Sequence, residues 1–155
     1  MADDETLLRR AIALSAEVRD AGQHPFAALL ADSEGQVLME QGNGFQPHGD
    51  GTAHAERLIA TRACLELPPE ARATATLFSS AEPCAMCAGA IYWAGIGRVV
   101  FGLSEKRLKA LIGPHPENLT MDLPCRTVFA AGQRPVEVVG PLLEDEAEAP
   151  HRGAW

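Results

Sequence analysis

Cys84 and Cys87 stand two residues apart in Pro83-Cys84-Ala85-Met86-Cys87, and His54-Ala55-Glu56 lies upstream of them. Two cysteines at that spacing can turn both sulfurs toward one metal ion, and His54 can add a ring nitrogen. Three protein ligands leave a tetrahedral zinc with one position open to water, the arrangement of a catalytic site rather than a structural one. Such a metal brings the pKa of bound water near neutrality, so the chemistry this pattern supports is metal-assisted hydrolysis. Glu56 is near enough in sequence to lie beside that water without binding the ion, and a carboxylate left off the metal keeps the basicity needed to carry protons. A structural site would want a fourth protein ligand, and neither Cys64 nor Cys125 forms a second Cys-x-x-Cys. Those two cysteines read as small buried side chains. His24, followed by Pro25, reads as a loop residue rather than a ligand.

The elements that must hold these residues follow from periodicity and punctuation. Asp3 or Asp4 can cap a helix whose apolar stripe (Leu7, Leu8, Ala11, Leu14, Ala16, Val18) runs to about residue 20. Residues 26–31 and 36–40 read as two strands around Asp32-Ser33-Glu34-Gly35, a hairpin. Residues 42–52 form a loop, and Thr52 is placed to cap a helix over residues 53–64 with His54 and Glu56 in its first turn. Leu67-Pro68-Pro69 breaks the chain. A third strand over residues 75–79 leads through Pro83 into a helix over 84–94, where a missing N–H costs nothing. Residues 98–102 give a fourth strand, 104–111 a short helix, 113–124 a loop, 125–131 one or two helical turns and 136–139 a fifth strand. The acidic stretch from Leu142 is helical to about Ala147, and the C-terminal tail, counted from about residue 148, ends in His151-Arg152-Gly153-Ala154-Trp155, which has no clear local structure. Strands interleaved with helices imply a single α/β domain, 1–155, layered around one sheet. Both ligand-bearing segments are helix N-termini, whose free N–H groups and partial positive charge favour thiolate over thiol.

Composition narrows the partners. The chain has 155 residues and a formal net charge of −8. Nucleic-acid binding leaves a basic footprint, so this balance argues against a polynucleotide partner. No stretch approaches the roughly 18 apolar residues of a membrane helix. The acidic start, Met1-Ala2-Asp3-Asp4-Glu5, lacks the plan of a signal peptide, and the expectation is a cytoplasmic protein.

The order His-x-Glu, then Pro-Cys-x-x-Cys, is the signature of the zinc-dependent deaminases. From about Pro25 to Gly102 the sequence resembles the cytidine-deaminase-fold superfamily, and within it the branch of guanine, cytosine and tRNA-adenosine deaminases. Pro25-Phe26-Ala27-Ala28, Asn43, Thr52-Ala53-His54-Ala55-Glu56, Glu82-Pro83-Cys84-Ala85-Met86-Cys87 and Gly97-Arg98-Val99-Val100-Phe101-Gly102 carry the resemblance. It implies a three-layer fold with a central five-stranded mixed sheet flanked by helices, a zinc cofactor, a homodimer, and hydrolytic release of ammonia from a ring amidine with Glu56 as proton carrier. It also implies that Asn43, with ten residues between it and His54, hydrogen-bonds the base. Phe26, Ala53, Glu82 and Trp155 are further candidate substrate contacts. The run Ile91-Tyr92-Trp93-Ala94 is similar to guanine deaminases, in which the C-terminal segment closes a neighbouring active site, so guanine is the first-choice substrate. Those enzymes grip the base with an acid after the fourth strand, for which Glu117 and Asp122 are the nearest candidates. The alternatives are another free base or nucleoside (cytosine, a triazine or aminopterin-like ring, a modified purine), a tRNA adenosine, or a non-catalytic subunit that keeps zinc for folding.

Overall fold

The computed structural model describes residues 2–155. Helix α1 (Asp4–Asp20) starts where Asp3 Oδ1 accepts from the Thr6 N–H at 2.8 Å, with Asp4 and Glu5 in the first turn. Strands β1 (Ala27–Ala31) and β2 (Val37–Gly42) pair antiparallel around a turn in which Asp32 accepts from the N–H groups of Glu34 and Gln36. Helix α2 (Ala55–Glu66), helix α3 (Pro69–Ala73), strand β3 (Thr76–Ala81), helix α4 (Ala85–Ala94) and strand β4 (Arg98–Leu103) follow. Then come α5 (Glu105–Ile112), α6 (Cys125–Ala130), β5 (Glu137–Val139), α7 (Glu144–Glu148) and a 3-10 turn at Ala149–His151.

The five strands form one mixed sheet in the order β2-β1-β3-β4-β5. Strand β1 is antiparallel to both neighbours, while β3, β4 and β5 run parallel. Side chains alternate across it. Ala28, Leu30, Leu77, Val99 and Phe101 pack with α2, α4 and α6 on one face. Leu29, Ala31, Phe78, Val100 and Leu103 pack with α1, α5 and α7 on the other. This is the three-layer arrangement expected, and it explains why β1 and β3 are buried along their whole lengths. No helix among the described residues is long and apolar enough to cross a membrane.

Strand polarity gathers the functional segments at one end of the sheet. Ala27, at the start of β1, pairs with Gly42 at the end of β2, and Ala81, at the end of β3, is in register with Leu103 at the end of β4. Phe26, Asn43, Glu82 and Ser104 therefore leave the sheet side by side.

Three expectations are corrected. Pro68-Pro69 does not merely break the chain: Pro69 opens α3, since the first helical position needs no N–H. Thr52 does not cap the second helix. Its hydroxyl donates to Asp50 Oδ1 at 2.7 Å, and α2 starts later, with His54 itself at the N-cap. The tail is not without structure, because it forms the 3-10 turn and buries His151.

Candidate active site

Two helix starts face each other at that end of the sheet. His54 is the N-cap of α2 and Cys84 the N-cap of α4, and neither uses its side chain to cap its helix. Both have the extended backbone usual for an N-cap, and with no capping hydrogen bond made, their side chains are left free to bind something else. Cys87 sits one turn into α4 and is fully buried. His54 Nδ1 lies 3.5 Å from the sulfur of Cys84 and 3.5 Å from that of Cys87. A tetrahedral zinc with ordinary bond lengths separates nitrogen and sulfur ligands by roughly 3.6 Å. The donor atoms all lie within 4.8 Å of one another, so the triad fits the ion on both donor chemistry and spacing.

His54 and Cys84 form part of the wall of a cavity of about 280 Å³, with Cys87 buried behind them. Phe26, Phe45, Met86, Leu108, Leu119 and Met121 give it apolar sides, and Asn43, Glu56, Glu82, Glu105, Asp50 and Glu117 give it polar ones. Asn43 faces the cavity with its side-chain oxygen held by the Phe45 N–H at 2.8 Å. Glu82 also lies on the wall, but both of its carboxylate oxygens are engaged: one accepts from the Glu105 N–H at 3.0 Å, the other from the Cys125 N–H at 2.8 Å. Ala53 is buried beside the loop, its carbonyl accepting from the Gly44 N–H, and is not part of the wall. Trp155 reaches the site indirectly, stacked on His24 with ring centroids 4.6 Å apart. Glu117 lines the cavity, whereas Asp122 does not and pairs with Lys109.

Comparison with known proteins accounts for this arrangement. Residues 1–103 match the family described as the cytidine and deoxycytidylate deaminase zinc-binding region. The chain belongs to this family. A probable cytosine deaminase of Schizosaccharomyces pombe is 43% identical over 157 residues, covering 98% of this chain and 92% of that one. A guanine deaminase of Bacillus subtilis is 41% identical over 91 residues, 58% of each chain. Among solved structures, the guanine deaminase from Nitrosomonas europaea superposes with a TM-score of 0.77 at 27% identity, over 99% of this chain and 85% of that one. The enzyme is thus a zinc-dependent hydrolytic deaminase with the fold of its relatives.

His54, Cys84 and Cys87 are the residues that would hold the metal in this deaminase. When bound, zinc supplies a water of near-neutral pKa as the nucleophile. The electrostatics of the site suit that role. The Cys87 thiol beside Cys84, helped by His54, holds Cys84 far below the ordinary thiol range, at about 4. The same contact, with burial, raises Cys87. His54 is raised chiefly by its hydrogen bond with Cys84. Burial pushes the Glu56 carboxyl up to about 7, against the pull of His54. A carboxyl poised there accepts and returns protons at neutral pH with little penalty either way.

Two features escaped the sequence. Glu105 is only 5% exposed and lies on the cavity wall, with burial and the charges of Cys84, Glu56 and Glu82 raising it to about 8. An acid in the first turn of a helix reads as a partner of the helix dipole, and nothing in its neighbours marks it as buried. His24, set aside as a loop residue, is also part of the wall. Only its position beside Phe26 could have suggested this.

Proposed function

We propose that this deaminase converts free guanine to xanthine and ammonia. The observation that supports this reading best is the make-up of the wall: five carboxyl residues and no Lys or Arg among the described residues. A cavity of that kind has nothing to offer a phosphate, and it favours a small neutral ring rich in N–H donors, as guanine is. Asn43 supplies an amide beside the base, and Phe26 and Phe45 give flat apolar surface for its faces.

Glu56 takes a proton from the attacking water as its oxygen adds to the amino-bearing ring carbon, and passes that proton to the adjacent ring nitrogen. It then takes the remaining hydroxyl proton and delivers it to the amino group. The carbon–nitrogen bond breaks with both electrons leaving on ammonia, and the ring keeps a carbonyl in place of the amine. His54, Cys84 and Cys87 stay in place throughout.

Cytosine is the second reading, favoured by the similarity that spans nearly the whole chain. Ammonia release from a panel of guanine, cytosine, adenine, a triazine and a tRNA anticodon stem-loop separates them. The guanine reading expects fastest turnover on guanine with weak dependence on salt, since few phosphates are neutralised. Preference for cytosine replaces it with the second reading, and turnover of the stem-loop alone overturns both. The enzyme acts in the cytoplasm as a homodimer on this proposal. Trp93, 84% exposed on α4, and Leu65, 82% exposed on the adjacent α2, offer an apolar face for a second copy. Light scattering that finds only monomer at micromolar concentration removes that part.

A further inference from the structure

His151 is a polar side chain in an apolar place. It ends the 3-10 turn and is only 2% exposed. Arg19 of α1 donates to the carbonyls of Pro150 at 3.0 Å and Arg152 at 2.8 Å, so the backbone is held on both sides of it. Its Nδ1 accepts from Trp155 Nε1 at 3.1 Å. An indole nitrogen only donates, so Nδ1 carries no proton. Burial pushes the imidazole down to about 4, which leaves it neutral at pH 7 with its one proton on Nε2. That nitrogen is buried and has no hydrogen-bond partner among the described residues. An unmet buried donor is destabilising, and a phenylalanine or leucine at this position would avoid it. Packing alone therefore does not account for a histidine here. What an apolar residue could not supply is the acceptor for Trp155.

The groups held by that acceptor converge on one side of the cavity. The His151 and Trp155 rings lie within 7° of parallel. The indole stacks on His24 with centroids 4.6 Å apart and tilts against Phe26 at 5.8 Å. His151 also meets Phe26 directly, edge to face at 5.0 Å. Phe26 and His24 are both wall residues. The Phe26 carbonyl accepts from the Asn43 N–H at 2.9 Å, which joins it to the wall on its other side. The phenyl ring thus borders both the substrate space and the His151–Trp155 pair, and one hydrogen bond fixes the indole that packs against it.

We propose that His151 is a positioning residue of the active site: by holding the Trp155 indole and bracing the Phe26 ring, it sets the aromatic surface on which the flat base packs. The proposal rests on the reading that the cavity takes a free base. It deepens that reading by assigning the stacking surface to Phe26 and the angle of that surface to a residue off the cavity wall. A base packed on a misaligned ring loses contact in the ground state and the transition state alike, so the effect falls on KM rather than kcat.

The test uses the zinc-loaded enzyme and whichever base of the panel the parent turns over fastest. A failure of the guanine reading therefore shows as a different preferred base, and a failure of this proposal shows as indifference to His151. His151→Phe removes the acceptor while keeping a ring in the apolar site. Trp155→Phe removes the matching donor while keeping an aromatic. Each is expected to raise KM by about fivefold or more, the scale of one lost hydrogen bond, with kcat within about twofold and zinc content unchanged. The double variant should be little worse than either single one, because both remove the same bond. In a Phe26→Leu background, His151→Phe should add little further loss, since the ring it braces is gone. KM within twofold of the parent, a loss confined to kcat, additive losses in either cycle, or a rise in KM that tracks a fall in melting temperature overturns the proposal. If His151→Phe does not fold, Trp155→Phe alone and in the Phe26→Leu background decides the matter.

Discussion

His24 and Glu117, separated by ninety-three residues, meet at 2.9 Å, ring nitrogen to carboxylate oxygen, on the wall of the cavity. The opposite side of the story is Trp155, which stacks on the same imidazole and donates from Nε1 to His151 Nδ1 at 3.1 Å. The loop after α5, the segment before β1 and the C-terminal residues are therefore joined through one ring of the same chain.

That junction makes the tail a support of the cavity wall. Trp155→Ala should lower kcat/KM on the order of tenfold, the scale of a lost aromatic contact of about 1.4 kcal/mol. Zinc content and melting temperature should stay close to the parent's. A loss that only follows falling stability would assign Trp155 to the fold alone.

The metal ties two helix starts together, so its removal should be felt beyond the active site. Metal analysis should find about one zinc per chain. Cys87→Ala should lose both zinc and turnover, and chelation of the parent should lower its melting temperature, because the free energy of metal binding is also free energy of folding. An active protein lacking stoichiometric zinc contradicts the site as drawn.

Glu56→Gln keeps the size of the side chain and removes the carboxyl that the proposed mechanism uses to carry protons. Zinc should remain bound, and substrate affinity should stay within about an order of magnitude. Turnover should drop by a factor on the order of 10² to 10⁴, the range for lost acid–base catalysis. Ammonia release at the parental rate would mean that another group carries the proton.

His151 gives the fold an acid-sensitive point. Burial pushes its imidazole down from 6.5 to about 4. Between those values the unfolded chain binds a proton that the folded chain refuses, so stability falls as pH is lowered through that window and is unaffected above it. In denaturant titrations at pH 7 and pH 5, the parent should lose more stability on acidification than His151→Phe, which has nothing to titrate. Equal acid sensitivity in the two would clear His151 of that role.

The metal triad was legible because its chemistry is written in short spacings: a Cys-x-x-Cys pair cannot easily avoid pointing both sulfurs one way, and His-x-Glu is equally local. The sheet was legible from apolar runs bounded by Gly and Pro. Contacts that close over long separations were not. The Glu82 clamp joins three segments through backbone N–H groups, which every residue possesses and which therefore leave no mark in the sequence. The N-cap of α2 was misplaced because Thr52, the better capping residue, is taken up by Asp50 in the preceding turn. The tail looked structureless because five residues that include Gly153 carry no period, while their order comes from rings of distant segments.

The polarity of the sheet leaves the other end of the molecule without chemistry. Ala31, Thr76, Arg98 and Glu137 are in register there, next to the Asp32–Gly35 turn, where Ser33 and Glu34 are exposed. That turn is the natural point of attachment. A tether or an inserted loop at Ser33-Glu34 would hold the deaminase on a bead, or beside a second enzyme that consumes its product, with the cavity turned outward and its walls untouched.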